Sequence, residues 1–200
     1  MFVKSYIIVM TGIGGQGLIT LLQILGNTLM NAGYKVITSE THGLSQRGGK
    51  VLCFLRFGNN LGSPIPIIGS ADMIITIEKN FITDTLKFAK PDRSTKLVIF
   101  NYEGHLLKSK NNVNKSLINN LYELFEDIYY ISPSKITKSL INVKSINMFL
   151  LGYILRFLPL NENQVEKSIN QKFSGNKLTL SIKALKEGQK LELFKIFKKD

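Results

Sequence analysis

A glycine-rich segment separates the first apolar run of the chain from its first helical pattern. Tyr6 to Met10 (YIIVM) is continuous and rich in β-branched residues, which is typical of a strand buried on both faces. Gly12 to Gly17 (GIGGQG) matches G-x-G-x-x-G, and leucines at spacings of three and four continue from Leu18 to Leu29. In that context, backbone N–H groups and the positive end of a helix favour a bound anion. Alternatively, the small residues only allow close packing of helix on strand.

The segment after this helix determines the character of the sheet. Gly33 ends the helical pattern, and Lys35 to Glu40 (KVITSE) is predicted as a second strand, which completes a Rossmann-like βαβ unit. Only nine residues, Thr41 to Gly49, precede a third predicted strand, Lys50 to Phe57. A parallel crossover needs about a dozen residues or more. We therefore predict that the third strand runs antiparallel to the second and that the sheet is mixed.

The rest of the chain adds further strands and then becomes helical. Pro64 and Pro66 keep an exposed loop extended at residues 59–70. At 200 residues the chain is one domain, 1–200, with a helical part from about residue 132 and a basic tail predicted as a solvated terminal helix. These patterns predict a three-layer α/β/α fold with a mixed, mostly parallel sheet. Its other predicted strands are 72–78, 97–100 and 128–131, and its other predicted helical segments are 81–88, 113–125, 134–139, 145–157, 162–172 and 177–187.

The single cysteine limits the kinds of metal site and crosslink that this chain can form. One thiol excludes a disulfide framework, a structural zinc site and an iron–sulfur cluster held by this chain alone. Cys53 lies among apolar residues of a predicted strand, which favours a core position over a nucleophile. The two histidines, His42 and His105, lie far apart in the sequence, so no metal site is predicted. A lone thiol without an export signal predicts a cytoplasmic location.

The charge of the chain suggests an anionic partner. The net charge is +12, but only four of the 26 Lys and Arg residues are arginine, and dispersed lysine also serves solubility. Basic residues do not alternate with aromatic residues on any predicted strand, so specific nucleic-acid binding is not expected. The apolar stretch Met148 to Leu160 is shorter than the roughly 20 residues of a membrane span, and Arg156 and Pro159 interrupt it. It is predicted as a buried helix or one that contacts a partner subunit.

A second candidate segment leaves the same carboxyl edge of the predicted sheet as the glycine loop. It runs from Glu40 to Gly49 (ETHGLSQRGG) and gathers an acid, an imidazole, an amide and a guanidinium group. Arg47, followed by paired glycine, suits the clamping of a carboxylate or phosphate with close backbone approach. Glu40 also stands where a dinucleotide-binding fold places an acid against a ribose hydroxyl. Alternatively, Glu40 and Arg47 pair with each other and only fold the loop.

The residues of both loops resemble a known family. The motif at 12–17, the segment 39–49 (SETHGLSQRGG) and the strand ending at 56–58 are similar to the gamma domain of 2-oxoacid:ferredoxin oxidoreductases. The H-G-x-x-Q-R-G-G form is most similar to the beta subunit of indolepyruvate ferredoxin oxidoreductase. Weaker matches are Ser70 to Asp72, Asn147 and Met148 with Gly152, and Asn176 with Ala184 and Gly188.

The resemblance implies a subunit that is inactive alone. Enzymes of this family oxidatively decarboxylate 2-oxoacids to acyl-CoA and pass electrons to ferredoxin. Their thiamine diphosphate and iron–sulfur clusters sit on a larger alpha subunit, and coenzyme A is a candidate ligand of this chain. Arg47 would pair with a carboxylate or phosphate, and His42 and Gln46 would hydrogen-bond it. The residues expected to face the partner's cofactor or coenzyme A are Gly12, Gly14, Gly15, Gln16, Gly17, Glu40, His42, Gly43, Gln46, Arg47, Gly48 and Gly49.

One alternative stands beside the subunit hypothesis. The glycine loop also fits an independent Rossmann-like protein that binds NAD or FAD. Such an enzyme needs a catalytic set of residues that the sequence does not show, and the predicted antiparallel third strand disfavours it. Binding of a dinucleotide by the isolated chain distinguishes the two.

Overall fold

The computed structural model of the chain describes residues 4–42, 49–100, 121–131, 145–193 and 195–196. In chain order the strands are β1 (Tyr6–Ile13), β2 (Lys35–His42), β3 (Lys50–Gly58), β4 (Met73–Thr76), β5 (Lys96–Phe100), β6 (Asp127–Ile131) and β7 (Lys195–Ile196). The helices with both ends described are α1 (Leu18–Asn31), α2 (Ile146–Ile154), α3 (Glu162–Lys172) and α4 (Gly175–Lys190). Short 3-10 turns lie at Lys79–Asp84, Leu86–Phe88 and Leu155–Phe157.

The strands form one sheet in the order β2-β3-β1-β4-β5-β6-β7. The neighbours from β1 through β4 and β5 to β6 are parallel. β3 is antiparallel to both β1 and β2, and β7 is antiparallel to β6. All the strands except β3 and β7 therefore share one direction, and the sheet is mixed and mostly parallel, as the sequence predicts.

The third strand inserts between the first two. β3 pairs with β2 over the full length of β2, from Lys35 opposite Gly58 to His42 opposite Val51. The predicted antiparallel pairing is confirmed, because the short connection returns the chain directly along β2 without a crossover. β1, α1 and β2 thus form the expected βαβ unit in a split version, with β3 between its two strands.

The end of the chain adds a strand that the sequence analysis missed. Residues 128–131 were predicted as the last strand and the tail as a solvated helix, but Lys195–Ile196 pair with Ile128 and Tyr129 of β6. The prediction of a helical tail is therefore wrong at these two residues. The Lys195 ammonium forms an ion pair with the Asp127 carboxylate, and the pairing covers part of an otherwise open sheet edge.

Apolar residues lie on both faces of the sheet. Ile8 and Met10 of β1 point toward α1, α2, α3 and α4, whereas Ile7 and Val9 point to the opposite face. That second face is covered by the 3-10 turns of residues 79–88 and by residues 121–125. The strand alternation of side chains therefore builds the three predicted layers.

The apolar stretch Met148 to Leu160 is covered within the chain where it forms α2. All nine residues of α2 are buried. A Cβ added to Gly152 would overlap the carbonyl of Leu185, and one added to Gly188 would overlap that of Phe149, so α2 and α4 cross backbone to backbone. The prediction of a buried helix is therefore confirmed, because paired glycines let α4 close over α2.

Some predicted features lie outside the described residues. They include the helix start at 113–120, the helical segment 134–139 and His105. Residues 121–124 are helical and form the end of the predicted helix 113–125. Among the described helices, none combines the length and apolar character of a membrane span.

Candidate functional site

The glycine loop and the start of β3 meet at the carboxyl edge of β1. The N–H of Gly14 donates to the carbonyl oxygen of Gly49 at 2.8 Å. Ile13 and Lys50 are paired directly beneath this contact. The loop at 12–17 and the last residue of the second candidate segment are therefore adjacent, as expected for elements at the same edge of the sheet.

The second candidate segment is only partly described. Glu40 lies on β2 opposite Cys53, and the backbone of His42 ends that strand. Burial, with the nearby Glu40 charge, raises the pKa of the Cys53 thiol to about 12, so the thiol stays protonated at neutral pH. This supports the core assignment of Cys53. Four further predicted residues lie outside the described ranges, and their roles stay predictions: Gly43, Gln46, Arg47 and Gly48.

Gln16 holds the glycine loop in shape. Its side-chain Oε1 accepts a hydrogen bond from the Ile13 N–H at 2.8 Å, and its Nε2 donates to Oε1 of Glu78 at 2.6 Å. Glu78 is buried just beyond the end of β4. Both ends of the Gln16 amide are thus engaged inside the chain, and the loop is tied to the neighbouring strand.

Two glycines of the loop adopt backbone conformations that other residues rarely take. Gly15 has φ 99°, and no atom of the described residues lies within 4 Å of the position that a Cβ would take, so the loop surface there is open. Gly17 has φ 80° and is the residue before α1, and a Cβ at this position would lie 2.5 Å from Nδ2 of Asn147. Gly15 leaves the backbone accessible, whereas Gly17 allows α2 to approach.

Asn147 connects the glycine loop to α2. Its Nδ2 donates to the carbonyl oxygen of Gly17 at 3.2 Å, and its Oδ1 accepts from the N–H of Met148 at 2.9 Å. Because Asn147 is buried and both ends of its amide are bonded, it fixes the start of α2 against the start of α1.

Three helices begin around one pocket, which we call the anion pocket. α1 begins after Gly17, α2 begins at Ile146, and α4 begins at Gly175. The pocket has a volume of about 480 Å³, within the usual range for small-ligand sites. It is lined by Gly15, Gly17, Thr20, Ser145, Asn147, Phe173, Asn176, Lys177, Leu180 and Ser181.

The charge around the anion pocket is positive. None of its described lining residues is acidic, and none of α1, α2 and α4 has an acidic residue in its first turn. The Nζ of Lys177 lies 4.3 Å from the centre of the Phe173 ring, which supports the lysine side chain at the rim. The N-terminal end of each helix adds partial positive charge, so the pocket suits a phosphate or carboxylate.

The sequence patterns predict only one side of this pocket. They indicate Gly15 and Gly17, but they assign no role to Thr20, Phe173 or Lys177. The missing signal is tertiary, because α4 reaches the glycine loop from the far end of the chain. Asn147 and Asn176 were noted only as weak matches to the family, and both line the pocket.

The described residues contain no group of three or more His, Cys, Asp or Glu side chains placed to hold a metal ion. The lining residues of the anion pocket offer backbone N–H groups, hydroxyl and amide groups and one lysine, which suit the binding of an anion.

The chain is thus an α/β protein with a mixed, mostly parallel sheet and a pocket beside its glycine loop. Comparisons with known proteins identify its family. The model for pyruvate ferredoxin/flavodoxin oxidoreductases matches residues 7–191. The chain belongs to this family, and the predicted resemblance is confirmed.

Named relatives support the same assignment. The chain is 30% identical over 189 residues to the indolepyruvate oxidoreductase subunit IorB of Archaeoglobus fulgidus, covering 90% of this chain and 92% of that protein. It is 45% identical over 75 residues to the IorB subunit of Pyrococcus horikoshii, covering 38% of this chain and 37% of that protein. The relatives are subunits of oxidoreductases that act on 2-oxoacids, as predicted.

Solved structures share the fold. A 2-oxoglutarate:ferredoxin oxidoreductase from Magnetococcus marinus, solved with 2-oxoglutarate, coenzyme A and succinyl-CoA bound, has a TM-score of 0.71 at 21% identity over 94% of this chain. The match spans 31% of that longer chain. The pyruvate oxidoreductase subunit PORC from Thermotoga maritima has a TM-score of 0.67 at 18% identity, covering 93% of this chain and 96% of that one. The predicted fold class is therefore confirmed.

Proposed function

We propose that this chain is the subunit without thiamine diphosphate or iron–sulfur clusters in an indolepyruvate-type 2-oxoacid ferredoxin oxidoreductase. The enzyme would break the bond between the carboxylate and carbonyl carbons of an arylpyruvate and release CO2. It would join the acyl group to the sulfur of coenzyme A, with loss of the thiol proton, and pass the two electrons to ferredoxin. A larger alpha subunit would carry thiamine diphosphate and the iron–sulfur clusters. The full-length similarity to IorB supports this proposal, and a cytoplasmic location belongs to it.

The described residues fit coenzyme A better than they fit a metal cluster. A cluster needs several thiolates, whereas this chain has only the buried Cys53. Coenzyme A carries phosphates, and three helix N-termini with Lys177 supply donors and positive charge for them. The related enzyme solved with coenzyme A bound gives further support. When bound, coenzyme A would supply the thiol that receives the acyl group.

The residues of this chain would bind and orient that ligand. The N–H groups at the starts of α1 and α4 would hold a phosphate, and Lys177 would neutralise it. The open backbone at Gly15 would let the ligand lie against the loop. Gln16 and Asn147 would keep the donors in place, because both are bonded within the chain.

The Glu40–Gly49 segment completes the proposed edge. Because Gly49 contacts Gly14, the segment ends beside the glycine loop, and Arg47 would face the partner's cofactor or coenzyme A from there. An Arg47→Ala variant should assemble normally and turn over more slowly. Normal turnover together with normal assembly would remove this segment from the mechanism.

Steady-state kinetics of the assembled complex test the anion pocket. Lys177→Ala should raise the KM for coenzyme A about tenfold, as expected for losing roughly 1.4 kcal/mol of charge-assisted binding, and leave kcat unchanged. Lys183→Ala is the matched control, because Lys183 is an exposed lysine on the same helix outside the pocket. An equal KM in both variants would contradict the pocket assignment.

A negative charge introduced into the pocket sharpens this test. Asn176 lies in the first turn of α4 and lines the pocket. Asn176→Asp should stabilise that helix by about 0.3–1 kcal/mol through its dipole, but it should weaken coenzyme A binding because a carboxylate repels phosphate. A more stable protein with a higher KM separates repulsion of the ligand from damage to the fold.

A further inference from the structure

An apolar loop lies at the edge of the sheet opposite the anion pocket. It joins the end of β3 to the start of β4, and we call residues 64–68 (PIPII) the isoleucine loop. Ile65, Ile67 and Ile68 are 54%, 74% and 70% exposed. Three large apolar side chains are thus exposed within four residues, and grouped exposed apolar side chains are typical of interaction sites.

Hydrogen bonds hold the C-terminal end of the isoleucine loop. The hydroxyl of Ser70 donates to the Ile67 carbonyl at 2.6 Å. The N–H of Gly69 donates to the Lys87 carbonyl at 2.9 Å. Pro66, between the exposed isoleucines, is buried. The exposed side chains are therefore presented by an ordered backbone, which reduces the entropy lost when a partner covers them.

A buried arginine lies beneath the same connection and has no charge partner among the described residues. Arg56 of β3 is 8% exposed, and its Nε has no hydrogen-bond partner in the described part of the chain. A Cβ on Gly62, which is exposed, would lie 2.5 Å from Nη1 of Arg56. The guanidinium thus lies directly under the loop, where only a glycine separates it from the surface. Burying such a charge without a partner costs free energy in the isolated chain.

The surrounding charges do not compensate Arg56. The Asp72 carboxylate is already engaged. It accepts a hydrogen bond from the N–H of Ile7 at 2.7 Å and forms an ion pair with Lys90. Lys4 and Lys87 are exposed beside the connection and have no ion pair within the described residues. This face therefore combines an apolar loop with uncompensated positive charge.

We propose that the isoleucine loop and Arg56 form a docking surface for the larger subunit of the complex, through a segment with an acidic side chain among apolar ones. The inference rests on the proposed function for the existence of that subunit. The isoleucines would fill the apolar centre of the contact, and the partner's carboxylate would pair with Arg56 over Gly62. A second copy of this chain is disfavoured, because a symmetric contact would bring Arg56, Lys4 and Lys87 of both copies together.

Site-specific crosslinking in the full complex tests the docking surface. The photoreactive amino acid benzoylphenylalanine replaces Ile67, and in the matched control it replaces Met30, which is 52% exposed on α1. Irradiation should join position 67, but not position 30, to the larger subunit, at a segment containing Asp or Glu. Crosslinks from position 67 to a second copy, or to no protein in an intact complex, would overturn the proposal.

Substitutions at the docking surface provide a second test, through association with the larger subunit and the melting temperature of the isolated chain. Ile67→Ser should reduce co-purification of the larger subunit, whereas Met30→Ser should not. Arg56→Met should weaken association about tenfold and leave the melting temperature of the isolated chain unchanged or higher, because the charge has no partner among the described residues. A lowered melting temperature with unchanged association would show that Arg56 only supports the fold.

These outcomes separate the two proposals. If the wild-type chain purifies without a subunit that carries thiamine diphosphate, the proposed function fails and the docking surface fails with it. If the complex forms and the Ile67 and Arg56 variants assemble like the wild type, only the docking surface fails.

Discussion

The glycine loop and the isoleucine loop lie at opposite edges of one sheet, and they differ in where their polar groups find partners. At the glycine edge, the amides of Gln16 and Asn147 are bonded within the chain, and what stays open is a polar pocket. At the isoleucine edge, backbone groups are bonded, but the buried Nε of Arg56 has no partner among the described residues. The first arrangement suits a small anion, and the second suits another protein.

The largest expected effect comes from the glycine edge. Gly17→Ala should lower the free energy of unfolding by about 2–4 kcal/mol, since a non-glycine residue at positive φ costs roughly 1–3 kcal/mol and Asn147 must also move. The melting temperature should fall by about 2–4 °C for each kcal/mol.

A second glycine separates the two causes of that loss. Gly33 has φ 90°, with no described atom within 4 Å of a Cβ position, so Gly33→Ala carries only the backbone strain. Equal losses in the two variants would show that the displacement of Asn147 costs no stability and that backbone strain is the whole effect.

The next largest effect is expected at Gln16, whose hydrogen bonds hold the glycine loop in shape. Gln16→Leu removes the bonds to Ile13 and Glu78 and should cost about 1–3 kcal/mol, because buried polar groups lose a partner. Gln23→Leu is the control, since Gln23 is exposed on α1 and bonds Lys172 at the surface. Equal unfolding free energies of the two variants, measured in urea, would contradict the supporting role of Gln16.

At the isoleucine edge, a substitution should change association with the larger subunit more than it changes stability. Gly62→Ala places a methyl group against the far end of Arg56, a flexible side chain that can shift, so stability should change by no more than about 0.5 kcal/mol. Association with the larger subunit should nevertheless weaken, because the methyl group covers the guanidinium. A large loss of stability with unchanged association would reverse the interpretation of this edge.

The same contrast explains what the sequence could predict. The glycine loop, βαβ unit and antiparallel β3 depend on local spacing, and the short connection at 41–49 left no room for a crossover. Lys177 and Phe173 could not be assigned to the pocket, because α4 reaches the loop only through its crossing with α2 at Gly152 and Gly188.

Two other features could not be predicted for the same reason, because they depend on tertiary contacts. β7 was missed because a two-residue strand has no periodicity of its own and depends on the neighbouring edge of β6. Nor did the sequence show that Arg56 is buried, since its flanking residues only predict a strand. Local patterns thus predict part of the glycine edge, whereas the features of the isoleucine edge are visible only in the tertiary structure.

The smallest expected effect lies at neither edge and serves as the reference for both. The hydrogen bond from Lys195, with a further one from Lys96, holds the pKa of the Asp127 carboxyl below its usual value. The pair therefore stabilises the fold above the unfolded pKa of about 3.9, and its contribution is lost as the pH falls through the lower folded pKa. Because both side chains are partly exposed, the contribution should stay below about 1 kcal/mol. Asp127→Asn should flatten the acid side of a plot of melting temperature against pH, while the KM for coenzyme A and the association with the larger subunit remain unchanged. A change in either of those two would mean that β7 is coupled to the edges, and that the edges cannot be treated as independent sites.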